Sequence, residues 1–265
     1  MARTTAFRTR CLLSVIWLTL TTANAARAND PAVSLQVEPT QANLVGNLAR
    51  LQLQVTGTRA NGQRVDLTRD VDYQVAPVSL ASVSTTGAIV PLTSGTGKIG
   101  ICLGTMTVEI PITITHILPR AQVSFQQDVI PILSRAGCNQ GACHGAQFGK
   151  GGFRLSLLGF APEQDYRSLV REHPGRRISL LRPADSLLLR KALMEFGHQG
   201  GKRFQRNSYD HQVLTAWLAA GAPAPQTDEA EVVDLIVSPA EGVYRVGQQQ
   251  QLRVVAHYSD HSTRD

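Results

Sequence analysis

Residues 137–145 read GCNQGACHG. Cys138 and Cys143 enclose four residues, and His144 follows the second cysteine directly. Several chemistries use these residue types. Two thiols can bond to the two vinyl carbons of a haem while the adjoining histidine reaches the iron. The usual spacing for that is C-x-x-C-H, and here it is lengthened to C-x₄-C-H, with Gly141 easing the bulge such a loop needs. In an oxidising compartment the same pair can close a disulfide and leave His144 an ordinary loop residue. A zinc site would need further ligands at regular spacing, and the remaining histidines are scattered. A thiol redox site of the C-x-x-C kind fits poorly, because the spacing differs and no βαβ pattern flanks it.

The elements on either side must position these groups. Ser124 is placed to cap a helix starting at Phe125, whose apolar face is Phe125, Val129, Ile132 and Leu133, and Pro131 predicts a kink within it. That helix runs into Gly137 and Cys138. At the far end Tyr209, Val213, Leu214, Trp217 and Leu218 repeat the helical spacing, and Gly221 terminates it. A helix before a Cys…Cys-His motif and an aromatic-rich helix after it predict a mainly α, cytochrome-c-like haem domain over 118–225. Cys102, in the strand-like run KIGICLG, reads as a buried small apolar side chain.

The rest of the chain has a different character. Residues 32–117 carry short alternating runs, SLQVEP, RLQLQV, VDYQVA and TVEIPITIT, separated by turn clusters such as RANGQ and STTG, which predict an all-β Ig-like sandwich. APAPQTDEAE (222–231) contains the linker, 226–231, and strand-like sequence returns over 232–265. The return is a repeat: VSP at 237–239 echoes VEP at 37–39, LRVVA at 252–256 echoes LQLQV at 51–55, and TRD at 263–265 echoes TRD at 68–70. About 35 residues cannot close a two-sheet core alone, so a second, truncated Ig-like sandwich belonging to a longer protein is expected there. Residues 1–28 join a basic start to the apolar run CLLSVIWLTLTTA and a small-x-small cleavage pattern, as an export signal does. The mature chain has no segment apolar enough to span a membrane, so an exported protein of the periplasm or cell surface is expected.

Over about residues 120–225, the stretches FQQDVIPILSRAGCNQGACHGAQFGKGGFRLSLLGF, PADSLLLRKAL, GHQGGKRF and YDHQVLTAWLAAGAP resemble the cytochrome-c-like domain of large secreted planctomycete proteins. Those proteins often carry bacterial group 2 Ig-like domains beside it. The resemblance implies one covalent haem c per chain and one-electron transfer. It implies thioether bonds at Cys138 and Cys143 and His144 as the proximal iron ligand. On the far side of the iron it points to the loop ALMEFGHQGGKRF, where His198 is the candidate, Met194 the alternative, and an open iron the third option. Arg203, after that loop, is the candidate for holding a haem propionate.

Formal charge is +6, which suits a redox partner protein, the C-terminal domains of a longer protein or an anionic cell-surface polymer. Basic and aromatic residues do not alternate as nucleic-acid binding would require. No nucleophile elbow, phosphate loop or paired carboxylates mark an enzyme of its own. The rival class is a haem-free structural or adhesive cell-surface protein with a Cys138–Cys143 disulfide.

Overall fold

Alternation of apolar residues sets the first part of the chain. The computed structural model describes residues 31–244 and 246–265, so the expected export signal at 1–28 lies outside the described residues. Ten strands come first: β1 (Ala32–Glu38), β2 (Ala42–Val45), β3 (Leu51–Gln52), β4 (Gln54–Arg59), β5 (Arg64–Asp66), β6 (Asp72–Ala76), β7 (Ala81–Val83), β8 (Ala88–Pro91), β9 (Gly95–Leu103) and β10 (Met106–Thr115). They form sheets ordered β1-β4-β5, β2-β10-β9-β6 and β3-β8-β7. All neighbours are antiparallel except β2 and β10. On β10, Ile110, Ile112 and Ile114 point inward at every second position and meet Ile99, Ile101, Leu53, Val55 and Ile89 in one apolar core. Each such side chain taken out of water contributes about 1.5–3 kcal/mol. Cys102 is buried on β9 and accepts from Thr107 Oγ1 at 3.7 Å.

The segment 118–225 corrects the expected fold class. It is not a mainly α cytochrome-c-like domain, and the described chain is dominated by strands. Its helices are α1 (Ile130–Arg135), α2 (Pro162–Tyr166), α3 (Leu187–Ala192) and α4 (Tyr209–Ala219), with π turns at Phe125–Val129 and Arg167–Arg171. The longest helical runs are α4 and the π turn at Phe125–Val129 continued by α1, each of 11 residues. The physical cause is local. Gly137, Gly149, Gly151, Gly152, Gly159, Gly175 and Gly201 all take positive φ, which no helix interior allows. Pro162 and Pro183 sit in first turns, where proline starts a helix rather than continues one. What holds the segment is a second, separate core. Phe125 lies 5.4 Å from both Tyr166 and Trp217, and Trp217 donates its indole N–H to Pro223 O at 3.1 Å. Ser124 caps the entry by accepting from Gln127 N.

A fourth sheet, β11 (Val232–Ser238), β12 (Arg253–Tyr258) and β13 (Thr263–Arg264), repeats β1-β4-β5 pair for pair. Glu38 opposite Gln54 becomes Ser238 opposite Arg253, and the bulge between Ala32 and Ser34 recurs between Val232 and Asp234. This pairing corrects the register of the repeat. LRV (252–254) matches LQV (53–55), and TRD (263–265) matches RVD (64–66) rather than TRD (68–70). The two copies differ in cover. Val37 and Leu53 are 4% and 0% exposed, whereas Val237 and Leu252 are 41% and 50% exposed.

The three parts are joined by specific contacts. Gln54 Nε2 donates to Ser238 O and Gln251 O, both at 2.6 Å. Arg264 pairs with Asp128 at 2.8 Å. Tyr209 donates its hydroxyl to Leu48 O at 3.0 Å and lies under the Arg50 guanidinium. Asn47 and Leu118 exchange a pair of hydrogen bonds.

Candidate functional site

Helix α1 ends on Gly137, whose φ of 75° turns the chain back on itself. The cysteine loop is then closed almost wholly by main-chain bonds. Cys138 N donates to Leu133 O at 2.8 Å, Cys143 N to Gln140 O at 2.9 Å, and His144 N to Cys138 O at 3.0 Å. Gly145 seals it, since a Cβ there would stand 2.0 Å from Asn139 O. Asn139 is fully buried. Its Nδ2 donates to Ser134 Oγ, and its Oδ1 has no hydrogen-bond partner among the described residues.

His144 is fixed from two directions. Its Nδ1 lies 3.0 Å from Phe153 O, which selects the tautomer with the proton on Nδ1 and Nε2 unprotonated. Its ring rests 4.6 Å from the Phe153 ring, and burial holds its pKa below the ordinary histidine value. Behind Phe153 lies Arg177, 4.7 Å from the ring centre, a buried guanidinium that donates to Ser168 O and Gly152 O at 2.7 Å each. Phe153 and Arg177 were missed in the sequence, because nothing in GKGGF or in an Arg-Arg pair marks a long-range stack.

His198 arrives from the loop after α3. Its Nδ1 lies 2.9 Å from Gly201 O, so its Nε2 is also unprotonated. The two imidazoles are 6.4 Å apart between ring centres and 12° from parallel. Arg203 comes from the same loop. One Nη donates to Ala136 O at 3.1 Å and the other points at Cys143 Sγ at 3.6 Å. Its guanidinium runs against Gly137 and Gly200, where Cβ atoms would come within 3.2 and 3.0 Å of it. Cys138 leans on the second core, and burial pushes its thiol up to about 11.

Thus Cys138, Cys143, His144, His198 and Arg203 share one neighbourhood. Met194, the alternative ligand, is exposed in a left-handed conformation, φ 62°. His211 is buried against Phe204, and its Nδ1 accepts from Asn207 N. Arg206 is engaged with Glu195, and Arg182 with Asp185.

No family model matches this chain, and no curated protein matches it. Among solved structures it is similar to domains 4 and 5 of the S-layer protein SbsC, with 19% identity, a TM-score of 0.28, and cover of 33% of this chain and 54% of that one. It is also similar to domains 4–9 of that surface layer protein, with 21% identity, a TM-score of 0.29, and cover of 36% of this chain and 16% of the other. The chain therefore spans about half of the first of these and far less of the second.

The expectation of a cytochrome c with a metal-binding, electron-transferring role is corrected accordingly. The segment lacks the mainly α fold on which that role was expected to rest. Among the described residues no three His, Cys, Asp or Glu side chains gather where a bare metal ion could be held.

Proposed function

We propose that this chain is a structural protein of the exported cell surface, in which β modules are joined rigidly through a glycine-rich segment stapled by a Cys138–Cys143 disulfide. The observation that carries the reading is the set of direct ties between the parts. Gln54 of β4 bonds to the main chain at Ser238 of β11 and at Gln251 just before β12, Arg264 of β13 bonds to Asp128, and Tyr209 of α4 bonds to Leu48 O. Joints of this kind hold modules at a fixed spacing, which is what an extracellular scaffold requires. The formal charge of +6 suits an anionic polymer of the envelope as its support. No helix of the described residues is long and apolar enough to cross a membrane. The test is expression of the full chain, with its own export segment, in a bacterium that also carries periplasmic haem-attachment machinery. The expected product stays with the envelope at low salt, is released at high salt, and has an intact mass two hydrogens below that of the dithiol. A coloured product heavier by one haem overturns this reading.

A second reading rests on the His144–His198 pair. A haem brings four of its own iron ligands, so two imidazoles suffice. The two rings stand 6.4 Å apart between centres and 12° from parallel, close enough for one group to lie between them. The carbonyls of Phe153 and Gly201 leave both Nε2 atoms unprotonated for that role. In this reading His144 and His198 would hold the iron, Cys138 and Cys143 the vinyl carbons, and Arg203 a propionate. The haem when bound would supply the redox chemistry of its iron. The same intact-mass measurement separates the two readings, and loss of a low-spin spectrum on His198→Ala would then identify the sixth ligand.

A further inference from the structure

Residues 139–160 fold back on themselves as one hairpin. Lys150 and Phe153 pair across its tip, Leu155 N donates to His144 O at 2.8 Å, and Leu158 N donates to Asn139 O at 3.1 Å. Both ends are anchored from beneath. The buried Arg177 guanidinium donates to Gly152 O at the tip, and Ser156 Oγ donates to the buried Asp165 carboxylate at 2.7 Å near the base. Gly149 packs on the returning arm, where a Cβ would stand 2.2 Å from Phe153 O. Along this ridge large apolar side chains stand in water. Phe148 is 84% exposed, Phe160 79% and Leu158 63%. Leu158 takes a left-handed φ of 57°, uncommon for a residue other than glycine, and Ser134 Oγ donates to its carbonyl at 3.3 Å. Lys150 and Arg154 are exposed on the same hairpin and have no carboxylate partner among the described residues. No acidic residue occurs between Asp128 and Glu163.

We infer that this ridge docks the exported chain on the face of a bilayer containing anionic phospholipid, with Phe148, Leu158 and Phe160 entering the acyl boundary and Lys150 and Arg154 meeting the phosphates. The inference rests on the surface reading above for its location and names what the chain lies on. An anionic polymer would take the two cations and leave both phenyl rings in water. A bilayer offers phosphate at its face and hydrocarbon directly beneath. Attraction to it grows with the apolar area buried and with each basic residue held near the headgroups. Because the ridge is already anchored on Arg177 and Asp165, little conformational freedom is lost when it docks.

The test uses the exported full chain, released from the envelope at high salt, and its sedimentation with vesicles of phosphatidylcholine alone or mixed with phosphatidylglycerol. Binding is expected on the mixed vesicles and should be weak on the neutral ones. Phe148→Ala and Phe160→Ala are each expected to weaken it about tenfold, and Lys150→Gln and Arg154→Gln about fivefold each. All four change exposed side chains, so all four should melt like the parent. Phe160→Trp places a reporter on the ridge, and its emission, measured against the parent chain, is expected to be quenched by brominated acyl chains. That measurement reads the ridge whatever residues 1–28 do. An unquenched tryptophan overturns the inference. So does binding that survives Phe148→Ala and Phe160→Ala but is displaced by dextran sulfate, which assigns the chain to a polymer. Self-association without vesicles that Phe148→Ala abolishes also overturns it, and assigns the ridge to a second copy. An intact mass that includes haem instead overturns the surface reading, and it is read before any vesicle is added.

Discussion

The imidazoles of His144 and His198 lie 6.4 Å apart and nearly parallel, each oriented by a main-chain carbonyl, Phe153 O for the first and Gly201 O for the second. Neither orientation depends on another titratable side chain. Burial against the Phe153 ring dominates the environment of His144, and the charges of His198 and, more weakly, Arg177 act in the same direction. Phe153→Ala should therefore leave the carbonyl bond in place while admitting water to the ring. Burial is the main cause of the lowered pKa of His144, so the variant's value should rise toward about 6.5. A histidine C–H titration followed by NMR checks this, and an unmoved midpoint would mean that Phe153 is not what buries the ring.

His211 should make the fold sensitive to mild acid. Burial, followed by the charge of Arg206, holds its pKa below the ordinary value. Its Nδ1 accepts from Asn207 N, which a protonated ring cannot do. A histidine whose folded pKa is depressed contributes stability that is present above the unfolded pKa of about 6.5 and is lost as pH falls through the folded value. Asp165 has the opposite sign, because burial raises its carboxyl, but it acts nearer the carboxylate range. Urea unfolding between about pH 7.5 and about pH 5 should show a decline that His211→Gln flattens.

Gly145→Ala should break the cysteine loop although it adds a single methyl. Its Cβ would stand 2.0 Å from Asn139 O and 2.7 Å from Asn139 C, and neither is a flexible side-chain end. Overpacking of this kind costs about 1–3 kcal/mol. The expected readout on the reduced chain is faster thiol labelling at Cys138, with the amides of the first sandwich keeping their exchange protection, because the two cores are separate.

Gln54→Ala should loosen the β11-β12-β13 sheet from the β1-β4-β5 sheet. It removes two hydrogen bonds of 2.6 Å from a side chain that is nearly buried, leaving the carbonyls of Ser238 and Gln251 short of a donor. A loss of about 1–3 kcal/mol is expected. Hydrogen exchange should locate it in β11 and β12, while β9 and β10 stay protected.

How much of this could be read in advance varies with the physics involved. The Ser124 cap and the buried face of Phe125, Val129, Ile132 and Leu133 were legible because they are local, as was the buried face of α4. The gathering of Cys138, Cys143, His144, His198 and Arg203 was legible as a group. The extent of helix was not. Two good helical faces suggested an α domain, but the glycines between them carry positive φ and dictate a path of loops. The repeat was visible, yet its register was not, because matching letters at TRD outweighed the pairing of strands that fixes the alignment. Arg177, buried over Phe153, gives no sign in the sequence at all.

The cysteine loop and the turns after it are shaped by glycines and main-chain bonds, and Phe148, Leu157, Leu158 and Phe160 project from them into water. Their apolar surface contributes little to folding. Evolution can therefore rewrite this rim, changing what the region touches, without renegotiating the architecture beneath it.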